Sequence, residues 1–291
     1  MTSRGSERPL VLRGAGVRLG GRQVWQNLNV EIESGEFVAV LGPNGSGKST
    51  LLRAILGQCD GVTGEIEVLG RAAGASNRSI GYLPQRRRFH RDLRIRGEDI
   101  VRLGVDGHRW GFSGWGRAAK AARRRVEELI ECVDASQYAR RPIGECSGGE
   151  QQRLLIAQAL AQRPRMLLLD EPLDSLDLPN QVGVSALISQ VCREEGVTVL
   201  IVAHDVNPLL GYIDRVLYFA GGDAVVGTPS EVITSETLTR LYRSPIEVLH
   251  AGDGRLVVVG QPEAPSYHPD LAHPGPSHRH GPASQDSHGH H

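Results

Sequence analysis

The fold class of this chain is decided by the stretch Phe37-Val38-Ala39-Val40-Leu41-Gly42-Pro43-Asn44-Gly45-Ser46-Gly47-Lys48-Ser49. Its apolar run predicts a buried strand, and apolar residues at helical spacing predict a helix over 48–56 directly after it. The segment between them fits the pattern G-x-x-x-x-G-K-[ST]. Glycines there let successive backbone N–H groups point at phosphate oxygens, and the helix N-terminus adds a favourable dipole. The stretch therefore predicts a phosphate-binding loop in an α/β protein, and the flanking strand and helix argue against a chance match.

The side chains of this loop predict a nucleoside triphosphate bound with Mg²⁺. Lys48 is expected to reach the β- and γ-phosphates, and the Ser49 hydroxyl to ligate Mg²⁺. Lys48 and Lys120 are the only lysines among 33 basic residues, so a compact ammonium is favoured here over the planar group of Arg. The expected nucleotide contacts are Gly42, Pro43, Asn44, Gly45, Ser46, Gly47, Lys48, Ser49 and Thr50.

A second buried strand, Met166-Leu167-Leu168-Leu169, ends in Asp170 and Glu171. Asp170 is expected to help hold Mg²⁺ from its outer coordination sphere. Glu171 is placed to polarise an attacking water. A solvated acidic turn is the alternative, and the phosphate-binding loop elsewhere in the chain argues against it.

The rest of the chain divides by composition. Strands are predicted between residues 10 and 42 and over 64–70, 80–83 and 197–202, and helices over 118–132 and 147–162. Residues 1–260 form one domain in this interpretation, with a mainly helical insertion at about 86–160, where 104–116 is expected to be an exposed loop. Residues 261–291 are rich in Pro, Ser, Gly and His, which predicts disorder.

Bulk composition narrows the function classes. The chain has 291 residues with 33 basic and 33 acidic ones, so its charge does not favour nucleic acid as a partner. No apolar run is long enough to span a membrane, and the N-terminal segment lacks the apolar core of a signal peptide. We therefore expect a cytoplasmic protein. The four cysteines form no metal or redox pair and are expected to be small buried side chains.

A signature segment, Cys146-Ser147-Gly148-Gly149-Glu150-Gln151-Gln152-Arg153, opens the helix before the acidic strand. It resembles the Leu-Ser-Gly-Gly-Gln signature of the ATP-binding subunits of ABC transporters, with Cys146 and Glu150 as departures. Ser147 and Glu150 also have the spacing of a helix capping box, and both interpretations are compatible. The resemblance implies that Ser147, Gly148, Gly149 and Glu150 grip ATP bound to a second subunit.

Other motifs extend this resemblance over residues 8 to 245. Gln85 matches the glutamine loop that contacts Mg²⁺, and Asp177 in Ser175-Leu176-Asp177 matches a loop crossing the dimer interface. His204 matches a histidine that contacts the γ-phosphate. The resemblance implies a P-loop NTPase core of the RecA-like type with an antiparallel β subdomain and an inserted α-helical subdomain. Gln85, Glu171 and His204 are then the expected catalytic residues.

One family feature is missing. An aromatic ring that stacks on adenine is expected about one strand before the phosphate-binding loop, and Leu19 occupies that position. Trp25 is the nearest aromatic residue and is interpreted as a packing residue. The lost stacking predicts weakened ATP affinity or base selectivity.

The resemblance also implies partners. One chain supplies half of each ATP site, so we expect a homodimer that closes around two ATP molecules on the cytoplasmic face of the membrane. Integral membrane permease subunits are expected to dock near Gln85. The arginines there, at 86, 87, 88, 91, 94 and 96, face a partner, anionic lipid or solvent, and we favour solvent.

The cargo is suggested by two features. The chain is similar to the ATPases of zinc, manganese and iron-chelate importers at Glu150 of the signature segment and over the segments 204–210 and 227–232. Seven of the 11 histidines lie in the tail, at positions 268, 273, 278, 280, 288, 290 and 291, and imidazole suits transition metals. We therefore expect a zinc or manganese importer supplied by an extracytoplasmic metal-binding protein. The tail is interpreted as a metal sensor or buffer, or as a segment without function, whose removal leaves ATP hydrolysis intact.

Three rival functions remain. An exporter subunit and an importer for another substrate differ from this one only in the membrane partners. A soluble regulator of the same type usually carries two ATPase halves in one chain, and this chain carries one.

Overall fold

A computed structural model describes residues 8–85, 89–107, 116–252 and 254–259. Its central sheet has six strands, and five of them are parallel. The strands of the chain are β1 (Leu10–Leu19), β2 (Arg22–Ile32), β3 (Phe37–Leu41), β4 (Val62–Val68), β5 (Arg71–Ala72), β6 (Ile80–Leu83), β7 (Met166–Asp170), β8 (Thr198–Val202), β9 (Arg215–Ala220), β10 (Asp223–Gly227), β11 (Glu247–His250) and β12 (Leu256–Val259). The order in the central sheet is β10-β9-β3-β8-β7-β6, with β10 antiparallel at one edge.

The central strands are buried on both faces, as their continuous apolar runs predicted. In β3, Phe37, Ala39 and Leu41 pack into the core that is shared with most of the helices. Val38 and Val40 face the opposite way, into a second core beneath the antiparallel sheet. The strand thus carries two cores because successive side chains alternate across the sheet.

The antiparallel sheet β2-β1-β4-β5 lies over this second core. Its strands are half-buried, so polar residues alternate with buried ones such as Leu28, Val30 and Ile32. Trp25 belongs to the same core and is fully buried, so its interpretation as a packing residue is confirmed. The α/β class with an antiparallel β subdomain is confirmed as well.

The helices are α1 (Lys48–Ile55), α2 (Gly97–Asp106), α3 (Arg117–Cys132), α4 (Gly148–Ala159), α5 (Leu178–Glu195), α6 (Pro229–Val232) and α7 (Ser235–Tyr242). Single 3-10 turns occupy Asn77–Ser79, Ile143–Glu145 and Asn207–Leu209. In the predicted helical insertion, α2 packs on α3 and α4. The boundaries 1–260 and 86–160 remain predictions, and 261–291 lies outside the described residues.

Two sequence predictions need correction. The loop expected over 104–116 starts later, because residues 104–106 form the last turn of α2, whose backbone continues to Gly107; residues 108–115 are outside the described part. The cysteines also differ from the expectation. Cys146 and Cys192 are buried, whereas Cys59 is half-buried and Cys132, the last residue of α3, is exposed.

The C-terminal strands β11 and β12 form a separate hairpin that packs one face onto the helical core. The sequence analysis did not predict it. Among the described residues, no helix combines the length and the apolar character needed to cross a membrane.

Candidate functional site

The predicted site residues outside the signature segment and the Asp177 loop meet at one edge of the central sheet. The phosphate-binding loop follows β3, Asp170 ends β7 with Glu171 directly after it, and His204 lies just beyond β8. Gln85 comes two residues after β6. Because these strands are parallel neighbours, their carboxyl ends share one edge, where ligands bind in open α/β sheets.

The phosphate-binding loop is shaped by two glycines that no other residue could replace. Gly42 has φ of 136°, and a Cβ there would lie 2.1 Å from the Phe219 carbonyl oxygen. Gly47 has φ of 97°, and its Cβ would lie 2.6 Å from Trp25 Cδ1. The fully buried Trp25 therefore supports the loop from below, a role that its place in the sequence did not reveal.

Lys48 is folded back into the loop. Its side chain is buried, and Nζ donates hydrogen bonds to the carbonyl oxygens of Gly42 at 2.8 Å and Pro43 at 3.0 Å. Burial lowers the pKa of Lys48, and the nearby carboxylates of Glu171 and Asp170 oppose that shift. The ammonium thus sits where the loop concentrates its polar groups, in position to meet an anion.

The remaining loop residues fit an anionic ligand. Ser46 Oγ is buried without a hydrogen-bond partner, an arrangement that a bound polar group would relieve. Asn44 and Gly45 are exposed at the loop tip, and Thr50 lies half-buried in the first turn of α1. All nine predicted nucleotide contacts in 42–50 therefore belong to one continuous loop and helix start.

Ser49 and Asp170 are joined directly, since Ser49 Oγ donates a 2.9 Å hydrogen bond to Asp170 Oδ1. Asp170 is buried, which raises the pKa of its carboxyl group, and the Ser49 hydrogen bond lowers it again. A hydroxyl and a carboxylate are the hard oxygen ligands that Mg²⁺ prefers. The pair fits the magnesium role predicted for it, and bound Mg²⁺ would offset phosphate charge there.

Glu171 lies at the centre of a polar cluster. Its Oε1 is 2.7 Å from His204 Nε2, and its Oε2 accepts a hydrogen bond from Gln85 Nε2. Its backbone N–H donates to the Val202 carbonyl oxygen at 3.1 Å, and its φ is 53°. Burial raises the pKa of the Glu171 carboxyl group, and the His204 charge lowers it. Two of the predicted catalytic residues, Gln85 and His204, therefore both contact the third, Glu171.

Asp174 belongs to this cluster although sequence analysis missed it. Its Oδ2 lies 3.5 Å from His204 Nε2. Glu171 Oε, Asp174 Oδ and a His204 ring nitrogen all lie within 4.8 Å of one another. The signal available in the sequence was a third acidic residue shortly after Asp170 and Glu171.

The signature segment forms the predicted helix start. Ser147 N donates to Glu150 Oε2 at 2.7 Å, and Glu150 N donates to Ser147 Oγ at 3.3 Å. This capping box is confirmed. The helix begins at Gly148 and ends at Ala159, within the predicted span. Arg141 Nη2 forms a 2.5 Å ion pair with Glu150. This ion pair holds in place the Glu that stands where the family signature has Gln.

The signature segment contacts the first turn of α5, which Asp177 caps, rather than the phosphate-binding loop. A Cβ on Gly149 would lie 2.3 Å from Asn180 Oδ1, so α4 and α5 of the same chain are in close contact there. Asp177 caps α5 by accepting hydrogen bonds from Asn180 N at 3.1 Å and Asn180 Nδ2 at 2.6 Å. Within the described ranges, no hydrogen bond joins 147–150 to 42–50.

Leu19 ends β1 and is 40% exposed, so its side chain is free to meet a ligand from solvent. Trp25 is fully buried and faces Phe219, with ring centroids 6.3 Å apart. Trp25 is therefore not available to stack on a base.

The C-terminal hairpin is attached close to His204. Asn207 Nδ2 donates to the Leu256 carbonyl oxygen at 3.0 Å, and Leu256 N donates to Asn207 Oδ1 at 2.7 Å. Asp205 Oδ1 in turn accepts from Asn207 Nδ2 at 2.6 Å. The loop that carries His204 is thus fastened to β12, a contact that the sequence did not predict.

Comparison with known proteins places this geometry in context. The family described as "ABC transporter" matches residues 25–174. A manganese transport system ATP-binding protein of Halalkalibacterium halodurans is 35% identical over 81% of this chain and 92% of its own length. A hemin import ATP-binding protein of Streptomyces coelicolor is 38% identical over 86% and 90%. A zinc transport system ATP-binding protein of Treponema pallidum is 34% identical over 76% and 82%.

Solved structures agree with the sequence relatives. An ABC transporter assigned to the metal-chelate type, in an inward-facing conformation, matches with a TM-score of 0.72 and 28% identity, over 87% of this chain and 98% of that one. A dimeric ATP-binding cassette in a post-hydrolysis state, bound to ADP and phosphate, matches with a TM-score of 0.62 and 26% identity, over 75% and 98%.

Proposed function

This chain belongs to the ABC transporter ATP-binding family, and from that premise we propose that it powers the import of a transition metal, zinc before manganese. As a member of the family it is an ATP hydrolase. The observation that carries the ATP-driven part of the proposal is that Ser49 contacts Asp170, and Glu171 contacts both Gln85 and His204, at one sheet edge.

ATP binding follows from the loop geometry. The backbone N–H groups of 42–49 and the start of α1 receive the phosphates, and Lys48 exchanges its carbonyl partners for phosphate oxygens. Ser49, Asp170 and Gln85 are the residues that would hold Mg²⁺. Gln85 now donates its amide to Glu171, which leaves its carbonyl oxygen available as a ligand.

Hydrolysis is assigned to Glu171 and His204. A carboxylate whose pKa is raised by burial is a stronger base than an exposed one, which suits the abstraction of a proton from water. His204 holds Glu171 Oε1 in place and is close enough to donate a hydrogen bond to the γ-phosphate. Both side chains act in the chain that binds the ATP.

A homodimer is proposed because the signature segment of a chain does not contact the phosphate-binding loop of the same chain through any hydrogen bond in the described ranges. Helix α5, which begins directly after Asp177, carries two exposed apolar side chains one helical turn apart, Leu178 at 53% and Val182 at 41% exposure. Exposed aliphatic residues next to a predicted dimer contact suit a surface that is covered in a complex. The second chain would then supply Ser147, Gly148, Gly149, Glu150 and Asp177 to each ATP.

A membrane permease is the proposed partner of the helical insertion. Ile95 and Leu103, beside and on α2, are exposed apolar residues there. Arg94 and Arg96 pair within the chain, with Glu145 at 2.9 Å and Glu98 at 3.3 Å. These ion pairs support the interpretation that Arg94 and Arg96 face solvent rather than a partner or lipid. Residues 86–88 lie outside the described ranges. The chain would work at the cytoplasmic face of the membrane, with an extracytoplasmic metal-binding protein delivering cargo.

The cargo assignment rests on relatives whose names give manganese, zinc and hemin. A metal or metal chelate is common to all three. Zinc is preferred for this chain because of the tail histidines, seven side chains whose imidazoles suit Zn²⁺. The proposed domains, 1–260 for ATP hydrolysis and 261–291 for metal sensing, follow the same reasoning.

The proposal is tested by transport. The chain is assembled with its permease in vesicles, and uptake of zinc, manganese and hemin is compared with and without ATP. We expect ATP-dependent zinc uptake that Glu171→Gln abolishes. Uptake of hemin alone would reassign the cargo, and ATP-driven movement in the opposite direction would make the chain an exporter subunit.

A further inference from the structure

We propose that Glu171, Asp174 and His204 form an inhibitory binding site for a free transition-metal dication. The proposal rests on the proposed function, because it takes Glu171 as the base of ATP hydrolysis. It adds a ligand that is neither ATP nor the Mg²⁺ held by the phosphate-binding loop. It also gives a role to Asp174, which the mechanism above does not use.

The three side chains converge because two neighbouring strands end together. Asp170 at the end of β7 is in register with Val202 at the end of β8. Glu171 N donates to the Val202 carbonyl oxygen at 3.1 Å, which fixes Glu171 beside the loop of His204. Asp174 returns to the same point through a turn in which Asp174 N donates to the Glu171 carbonyl oxygen at 3.3 Å.

The donor atoms are close to the spacing of a metal site. Zinc binds imidazole nitrogen and carboxylate oxygen at about 2.0–2.2 Å, so tetrahedral ligand atoms lie roughly 3.3–3.6 Å apart. Here His204 Nε2 is 2.7 Å from Glu171 Oε1 and 3.5 Å from Asp174 Oδ2. Small side-chain rotations would bring all three onto one ion and leave a fourth position for water.

The ligand types select against Mg²⁺. One imidazole with two carboxylates suits zinc, manganese and cobalt, whereas Mg²⁺ binds oxygen ligands and keeps much of its water. Glu171 Oε2 is occupied by the Gln85 amide, so Oε1 is the oxygen available to the ion. The site thus differs from the Ser49–Asp170 pair, which offers only oxygen.

Charge and access also favour a dication. Asp174 and His204 are 43% and 38% exposed, so an ion reaches them from solvent, whereas Glu171 is only 8% exposed. The two carboxylates face one imidazole, and Lys48 is held by the Gly42 and Pro43 carbonyl oxygens. A bound dication would balance the two carboxylate charges.

Occupancy would stop hydrolysis. A Glu171 oxygen that donates its lone pair to a metal no longer accepts a proton from water, and His204 no longer faces a phosphate. If the subunit imports such a cation, a rising cytoplasmic concentration of the metal would therefore inhibit ATP hydrolysis and slow further uptake of that metal.

The direct test measures Zn²⁺ binding by calorimetry on the nucleotide-free full-length chain. The seven tail histidines are first replaced by alanine, because they would bind zinc themselves. We expect one ion per chain at this site, with affinity reduced about 10–100-fold by Asp174→Asn and by His204→Ala. The matched control is Asp205→Asn, which removes a carboxylate next to His204 but outside the trio. Equal affinity in all four proteins would overturn the proposal.

The second readout is ATPase activity in excess Mg²⁺ at increasing Zn²⁺, with each variant normalised to its own zinc-free rate. The half-inhibiting zinc concentration should rise about tenfold or more in Asp174→Asn and stay unchanged in Asp205→Asn. Active protein that zinc neither binds nor inhibits refutes this inference alone. Zinc binding by a chain that never hydrolyses ATP refutes the proposed function and leaves the site itself standing.

Discussion

Ser49 Oγ donates a 2.9 Å hydrogen bond to Asp170 Oδ1 across 121 positions of sequence. The bond joins the first turn of α1 to the end of β7 and places two oxygen atoms, the ligand type that Mg²⁺ prefers, beside the phosphate-binding loop. The bond brings the two halves of the predicted magnesium site into direct contact.

Ser49→Ala should reduce Mg²⁺-dependent ATP hydrolysis by at least about tenfold, because the hydroxyl is a proposed metal ligand. Binding of ATP measured without Mg²⁺ should change little. The measurement is ATPase rate against Mg²⁺ concentration, with the exposed Ser136→Ala as control. A variant with the normal Mg²⁺ requirement would remove Ser49 from the metal site.

Glu171→Gln should keep ATP binding and lower hydrolysis by about 10²–10⁴-fold, the usual contribution of a general base. With hydrolysis blocked, ATP should hold two chains together, and light scattering would show the dimer. Glu145→Gln, which removes an exposed carboxylate paired with Arg94, is the control. Hydrolysis at the full rate would exclude Glu171 as the base.

Gly149→Ala should destabilise the contact between α4 and α5, since the new Cβ would lie 2.3 Å from Asn180 Oδ1. We expect the free energy of unfolding in urea to fall by about 1–3 kcal/mol. Adding Asn180→Ala should recover part of this loss. Gly183→Ala is the control, because its Cβ would meet only the flexible Arg153 side chain at 3.2 Å. Equal stability of both alanine variants would contradict the packing argument.

Leu19→Tyr should increase ATP affinity by about fivefold, corresponding to about 1 kcal/mol for a new ring against adenine. Leu19 is 40% exposed, so the ring should be accepted without repacking. Equilibrium binding of ATP and GTP would measure both affinity and base selectivity. Leu249→Tyr, at an exposed residue of the C-terminal hairpin, is the control. An unchanged affinity would show that the aligned position is wrong.

Cys192 should resist alkylation in the folded protein. Burial raises the pKa of its thiol to about 11, so at pH 8 only about one molecule in 10³ carries the reactive thiolate. The reactive fraction should increase about tenfold per pH unit until the pH approaches that pKa. Mass spectrometry after iodoacetamide treatment should find Cys132, which is exposed, modified first. Early modification of Cys192 in folded protein would contradict its burial.

The local features of the site could be predicted from sequence. The phosphate-binding loop, the capping box of Ser147 with Glu150 and the buried strand before Asp170 each depend on a few consecutive residues. Their conformations follow from glycines that permit positive φ, from capping residues three positions apart and from apolar runs. All three features can be read directly from the sequence.

Contacts between distant segments could not be predicted in this way. Asp174 reaches His204 only because β7 and β8 are neighbours in the sheet. Asn180 touches Gly149, and Asn207 binds Leu256, for the same kind of reason. The exposure of Cys132 at the end of α3 likewise depends on tertiary packing, which the sequence of that helix does not show.

What the sequence by itself determined is therefore the set of candidate groups: a loop predicted for phosphates, a carboxylate predicted for Mg²⁺, a carboxylate predicted for water and a capped helix start. What only the tertiary structure decided is which of these groups touch. The physical reason is that strand order and helix packing arise from pairings between remote segments, and apolar periodicity gives the buried face of an element without naming its neighbour.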